Sequence, residues 1–422
     1  MNSCPKIKEN LRRGIHSFIP QKIINFGKHL LTAVSASIYF NFPSKKLKVI
    51  GVTGTDGKTT TVHLIYHILH QAGLRVAMVS TVLAKIGDKE IDTGFHVTTP
   101  NPWNLQKFLK MMVDKGIEYA VLEVTSHGLD QFRLWGIDFE IGVLTNVTHE
   151  HLDYHKTYEN YLSTKAKLLQ KAKIAIINKD DESYDLLNSK LKTQNSKLIT
   201  YGIKNEADFT PKKFDFKTSL PGEYNQYNCL AAIAATSQLG ISVEKIKKAI
   251  LTFKGVVGRM EKIEEGQDFK VIIDFAHTPN ALEQVLKFLK SIKSGKSKLI
   301  VVFGCAGLRD SDKRPIMGEI ACRLADLVVL TAEDPRTEDV NDIFDQIAGG
   351  CEGIGGVEGK AYYKIPDRQE AINFAIQKLA KKGDTVVICG KGHEKSMCFG
   401  HTEYPWSDQE AAKKALKERR ST

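Results

Sequence analysis

Residues 51 to 62 read GVTGTDGKTTTV, set between the apolar run Leu47–Ile50 and the helical pattern HLIYHILHQAG. A strand that enters a glycine turn and then a helix aims backbone amides at whatever lies over the helix N-terminus, an arrangement suited to phosphate. A strict G-x-x-x-x-G-K-[ST] loop would place its first glycine where Val52 stands; here the glycines fall at 51, 54 and 57. The physics survives that shift. Gly54 and Gly57 tolerate positive φ, Lys58 supplies a charge, and Thr59 supplies a metal-binding hydroxyl. A glycine turn with an incidental lysine is the plainer alternative, but G-K-T-T between an apolar strand and a helix meets the context a phosphate loop requires. The expected nucleotide-binding set is Gly54, Thr55, Asp56, Gly57, Lys58, Thr59 and Thr60.

Outward from the loop, the short β-rich runs LKVIGVTG, RVAMVST, YAVLEVTS, IGVLTNVT and IAIINKD alternate with the helical patterns VHLIYHILHQAG, WNLQKFLKMMVDKG and YENYLSTKAKLLQKA. That rhythm predicts βαβ units and a mostly parallel sheet covered on both faces. After the helical NQYNCLAAIAATSQLG, the segment GVVGR carries two glycines and reads as a hinge; a second α/β series follows with KVIIDFA, KLIVVFGCA, DLVVLTAED and DTVVICGKG. The fold class is α/β, in three segments. A basic, partly apolar helical leader spans 1–46, a central P-loop-type domain 47–255, and a C-terminal Rossmann-like domain 256–422.

The 422 residues allow two or three cores, and the composition, 42% hydrophobic and 26% charged, is that of a globular protein. Seven cysteines (4, 229, 305, 322, 351, 389, 398) are scattered and form no CxxC pair, which argues against a disulfide framework or zinc ribbon and fits a reducing cytoplasm. Charge is concentrated at the front: residues 1–48 hold nine Lys or Arg against Glu9, so +8 of the total +11 lies there. No basic stripe interleaved with aromatics covers the rest, so a nucleic-acid partner is not expected. Within the leader, LLTAVSASIYF (30–40) is apolar for eleven residues, short of the roughly 20 a spanning helix needs. The reading is a helix packing on the body of the protein, with weak contact to a membrane surface as the alternative.

GTDGKTT is similar to the loop of the Mur ligase family, and further motifs follow in that family's order: TTP (98–100), EVTSHGL (123–129), TNVTHEHLDYH (145–155), YLSTKAKLL (161–169), NQYN (225–228), GRME (258–261), DFAHTPNAL (274–282), FGCAGLRDSDKRPIMG (303–318), EDPR (333–336) and GKGHE (390–394). SHGLDQFR, DFAHTP and GKGHE resemble the branch that adds the third amino acid to UDP-N-acetylmuramoyl-L-alanyl-D-glutamate. The resemblance implies an ATP-dependent, ADP-forming amide ligase of peptidoglycan synthesis, working through an acyl phosphate with two magnesium ions.

Carried over position by position, the resemblance implies Thr59 and Glu123 at one magnesium, and His151 with a carbamylated Lys165 at the second. A plain lysine there would repel the metals, whereas carbamylation replaces the cation with a carboxylate. Lys58, Arg259 and His277 belong with them at the phosphates, and Asn228 and Asp274 with adenosine. Thr98, Thr99, Thr125, Gln131 and Arg133 are implied for the muramoyl-dipeptide acceptor. Asp334, Arg336, Gly390 and Glu394 are implied for the incoming amino acid, with Arg336 on a second carboxylate and Glu394 on the distal ammonium. Arg336 favours diaminopimelate over lysine or ornithine. Glu333 and Asp334 depart from the family's D-N, and Asp56 replaces a usual asparagine, adding a negative charge that should weaken nucleotide binding unless metal offsets it. The family's usual uridine-binding domain is not expected within the 46-residue leader. A related ligase with another acceptor, such as a polyglutamate or pseudomurein peptide, and a non-catalytic nucleotide-binding regulator are the rival readings; a monomer is expected.

Overall fold

The computed structural model describes residues 25–91, 98–148, 152–191 and 196–421. Two α/β units carry two sheets. The first has eight strands in the order β4-β3-β2-β5-β1-β6-β7-β8: β1 (Lys48–Thr53), β2 (Val76–Val79), β3 (Ala84–Ile86), β4 (Lys89–Ile91), β5 (Tyr119–Glu123), β6 (Phe139–Leu144), β7 (Ala172–Asn178) and β8 (Lys197–Tyr201). All neighbours are parallel except β2–β3 and β3–β4. Every β5 residue, and all of β1 after Lys48, is buried, as expected where helices cover both faces. On one face lie α2 (Lys58–Gln71) and α6 (Glu223–Ser237), packed together over Ile50, Val52 and Val143.

The other face is covered by α3 (Pro102–Asp114) and α5 (Tyr158–Lys171). Helix α1 (Leu30–Tyr39) packs on α3 through a small-residue face, Ala33, Ala36 and Ser37, and Gln106 Nε2 donates to Ser37 Oγ at 3.1 Å. The leader helix thus rests on the body, as its sequence suggested. Its outer face is apolar, with Phe26, Leu31, Ile38 and Tyr39 exposed beside a ring cluster of Tyr39, Phe40 and Trp103. Among the described residues no helix is long and apolar enough to cross a membrane.

The second sheet has six strands, β13-β12-β11-β14-β10-β9: β9 (Glu261–Ile263), β10 (Lys270–Asp274), β11 (Leu299–Phe303), β12 (Leu327–Leu330), β13 (Tyr362–Lys364) and β14 (Thr385–Cys389); only β9 is antiparallel. Helices α7 (Pro279–Ser291), α8 (Lys313–Leu324) and α9 (Val340–Glu352) cover one face, and a hairpin, β15 (Ser396–Phe399) with β16 (Thr402–Pro405), follows β14. Cys322 and Cys351 form a disulfide joining α8 to α9, which the scattered sequence spacing did not foretell. The pairing depends on close helix packing: a Cβ on Gly318 would lie 1.9 Å from Ile347 O, and one on Gly350 would lie 1.8 Å from Pro315 O. Between the units, Gly255 and Gly258 adopt φ of 98° and 70°.

Candidate active site

Strand β1 delivers the chain to the phosphate loop, and parallel register pairs Val52 with Glu123, so the end of β5 lies beside it. Gly54 and Gly57 have φ of 151° and 80°. A Cβ on Gly54 would stand 1.8 Å from Thr145 Oγ1, and one on Gly57 would stand 2.3 Å from Asn228 Oδ1, so both conformation and space demand glycine. Gly57 caps α2, and Lys58 folds back to donate from Nζ to Gly54 O (3.1 Å) and Thr55 O (2.6 Å). Thr59 Oγ1 donates to Glu123 Oε1 at 3.0 Å, while Glu123 Oε2 accepts from Thr81 N at 2.9 Å. Both side chains are buried at the floor of the cleft. A hydroxyl and a carboxylate so placed fit a hard divalent cation, which needs few protein oxygens when substrate phosphates and water complete its shell.

Lys165, on α5, is buried beside the same turn; its Nζ donates to Gly54 O at 2.6 Å and lies 4.4 Å from the centre of the Tyr161 ring. His151 lies outside the described residues. Among those described, no group of three His, Cys, Asp or Glu is arranged to hold a metal. His155 is buried nearby, its pKa lowered to about 4, first by burial and then by the neighbouring His127.

The acceptor set gathers on the same side. Thr125 caps α4 (Ser126–Asp130), accepting from Gly128 N, and its hydroxyl lies 3.0 Å from Thr99 Oγ1. Arg133 donates through Nε (3.1 Å) and Nη2 (2.7 Å) to Gln131 Oε1 and through Nη1 (2.5 Å) to Thr99 O. Thr98, Thr99, Thr125 and Arg133 line a cavity of about 380 Å³ together with Lys58, Thr59 and Glu123.

The second unit closes the other side of that cavity. Arg259 lies over the Phe275 ring at 4.4 Å and donates from Nη2 to Thr59 Oγ1 at 3.2 Å, joining the two units at the Thr59–Glu123 pair. His277 lines the cavity, its Nδ1 2.9 Å from Phe275 O. Asp56 is held by the second unit: its carboxylate accepts from Asn280 Nδ2 (2.7 Å) and Thr278 Oγ1 (3.3 Å) at the start of α7. Helix dipole and two donors thereby hold the extra charge that the sequence placed beside phosphate. Behind the loop, a second cavity of about 290 Å³ is lined by Asn228, Asp274, Tyr224 and Tyr227 and shares Asp56, Gly57, Thr60 and Arg259 with the first. Asp274 is buried, accepts from Met260 N (2.7 Å) and Ala276 N (2.8 Å), and has its pKa raised by burial.

Arg336, Asp334, Gly390 and Glu394 lie at the far end of the first cavity. Arg336 donates to Gly307 O. Lys391, which sequence reasoning passed over inside GKGHE, is fully buried and binds three carboxylate oxygens: Asp334 Oδ1 and Oδ2 at 2.9 and 3.0 Å, and Glu394 Oε2 at 2.5 Å. Glu394, expected to face a substrate ammonium, thus already meets an internal one. Arg309, Asp310 and Lys313 also line the cavity; their only sequence signal was membership of FGCAGLRDSDKRPIMG.

Residues 52–236 match the Mur ligase middle domain and residues 258–392 match the Mur ligase glutamate ligase domain. The chain belongs to the Mur ligase family. It is 38% identical over 427 aligned residues to a UDP-N-acetylmuramoyl-L-alanyl-D-glutamate–2,6-diaminopimelate ligase of Clostridium acetobutylicum, covering 95% of this chain and 86% of that one. The corresponding ligase of Clostridium tetani is 40% identical, covering 97% of this chain and 85% of that one. A solved structure of a ligase of the same name superposes with a TM-score of 0.59 at 34% identity, covering 89% of this Mur ligase family chain and 79% of that one.

Proposed function

We propose that this chain is an ATP-dependent amide ligase that joins a diamino acid, diaminopimelate foremost, to a muramoyl-dipeptide carboxylate, as a cytoplasmic monomer. The observation that carries the reading is the shared cavity: the Lys58 loop, the Thr59–Glu123 pair and Arg133 on one side face Arg259, His277 and Arg336 on the other. An amide cannot form from a carboxylate and an ammonium without activation. Lys58 and Arg259 stabilise the phosphoryl group as it moves from ATP to the acceptor carboxylate, Arg133 orients that acceptor, and the C-terminal unit presents the amine that displaces phosphate while excluding water. Asn228 and Asp274 are the proposed adenosine contacts in the adjoining cavity.

Thr59 and Glu123 would hold one magnesium, and Lys165 with His151 a second; magnesium supplies charge stabilisation on the transferring phosphoryl group. A carbamate on Lys165 keeps one N–H for Gly54 O and adds a carboxylate where a cation now sits. Intact mass of the protein with and without bicarbonate checks that modification; an unchanged mass and unchanged activity would remove it.

Phosphate release from ATP in the presence of UDP-N-acetylmuramoyl-L-alanyl-D-glutamate and a panel of diamino acids tests the main reading. Turnover that requires both supports it, with diaminopimelate the best of the panel; no turnover with the muramoyl acceptor sinks it. The exposed Phe26, Leu31, Ile38 and Tyr39, within residues 1–48 of net +8, support a further reading in which this face rests weakly on anionic lipid. Sedimentation with anionic and neutral vesicles decides: equal binding to both, or none, counts against it.

A further inference from the structure

The turn after α4, residues 130–136, carries the acceptor residues Gln131 and Arg133, and the leader lies along it. Phe132, between those two, has a φ of 54°, a left-handed conformation unfavourable for any side chain. Such a residue stays in place when its surroundings fix it from several sides. Here the leader supplies them. Ser44 Oγ donates to Gly136 O at 3.0 Å, Ser37 Oγ lies 3.1 Å from Trp135 O, and the Phe42 and Trp135 rings are 6.1 Å apart. At the other end of the turn the Phe26 ring meets Phe132 edge-on at 6.4 Å.

Beside Phe26, the side chain of Asn25 is buried, and it lines neither cavity. Its amide donates to Asp130 Oδ2 at 2.6 Å and to the Tyr154 hydroxyl at 3.2 Å. Tyr154 in turn donates to the same Asp130 oxygen at 2.9 Å, and Lys167 Nζ lies 3.4 Å from the other. Burial, the largest influence, raises the Tyr154 pKa, so the hydroxyl keeps the proton it gives to Asp130. The side chain of Gln131 hydrogen-bonds to that hydroxyl as well. A phenol hydroxyl has one donor and two acceptor positions, and Asp130, Asn25 and Gln131 use all three. Gln131 Oε1 then accepts both Arg133 bonds described above. A continuous polar chain thus runs from the leader through Tyr154 and Gln131 to the Arg133 guanidinium. The bonds of Arg133 to Gln131 and Thr99 go to neutral oxygens, which leaves its charge for an anion in the cavity.

We propose that Asn25 is a positioning residue for acceptor recognition: by bridging Asp130 and Tyr154 it fixes Gln131, and through Gln131 the Arg133 guanidinium, in the orientation that receives the acceptor carboxylate. This inference rests on the ligase reading. The leader is then part of the site without touching substrate. Because Asn25 acts only through its neighbours on the acceptor side, its loss weakens acceptor binding and leaves phosphoryl transfer intact.

Steady-state kinetics on the full chain, varying UDP-N-acetylmuramoyl-L-alanyl-D-glutamate and ATP in turn, test this. Asn25→Ala should raise the KM for the acceptor by about tenfold, the scale of a lost bond to a charged group. The KM for ATP, and kcat at saturating acceptor, should stay within about twofold of native. Asn25→Asp sets a second carboxylate against Asp130 and should raise the acceptor KM further. Asn25→Gln keeps the amide donors and should recover part of the loss. Tyr154→Phe cuts the chain one step on and leaves the leader residue in place, so it gives the same comparison should Asn25→Ala fail to fold. Joined to Asn25→Ala, it should add less than about twofold, since both break one path. Acceptor and ATP constants that rise together, an unchanged acceptor KM, or fully multiplicative effects of the two substitutions overturn the proposal and leave the ligase reading standing. A native protein that releases no phosphate with this acceptor overturns the ligase reading, and this role with it.

Discussion

At the phosphate loop, cations wait among neutral partners. Lys58 points at two main-chain carbonyls and Arg259 at a threonine hydroxyl, and neither forms an ion pair among the described residues. At the other end of the cleft the pattern inverts: Lys391 is saturated by Asp334 and Glu394, and the group left over is an acid, Glu333. At the loop the cations face the cavity, whereas at the far end Lys391 is withdrawn from it into an ion-pair cluster.

Removing a lysine from each end separates the two designs. Lys58→Ala should reduce kcat by about 100-fold or more, the usual cost of losing a charge aimed at a transferring group, with the melting temperature nearly unmoved; phosphate release and thermal unfolding measure both. Lys391→Met should do the reverse in kind, lowering folding stability by about 3 kcal/mol or more because two carboxylates lose a buried counterion. Denaturant unfolding reads this, and a loss below about 1 kcal/mol would mean water already solvates that cluster. The smallest effect belongs to Asp56→Asn. Since two donors at the start of α7 already bind the native carboxylate, the KM for ATP should improve by no more than about threefold. A tenfold gain would show that the charge is felt across the loop.

Much of this was legible in the sequence where chemistry is local. The buried central strands β1, β2, β5–β7, β10–β12 and β14 were readable as apolar runs because both faces are covered. The short strands β3, β4, β9 and β13 and the β15–β16 hairpin were not, since three or four residues are too few to carry a periodic signal. The phosphate loop was readable because glycine, lysine and threonine act there within four residues. Lys391, Glu333 and the Asp56 contact to α7 were hidden because each depends on a partner 57 or more residues away, or on lacking one. The Cys322–Cys351 pairing was hidden for the same reason, being a product of helix packing.

Gly258 carries a mechanical consequence. A Cβ there would stand 2.3 Å from His393 N and 2.4 Å from Gly392 C, so the chain entering the C-terminal unit is stacked directly on the stretch that bears Lys391 and Glu394. Gly255, by contrast, meets only Leu220 Cδ2 at 3.5 Å. A swing of the C-terminal unit that keeps this stacking pivots ahead of Gly258 and carries the stretch of Lys391 and Glu394 along with it.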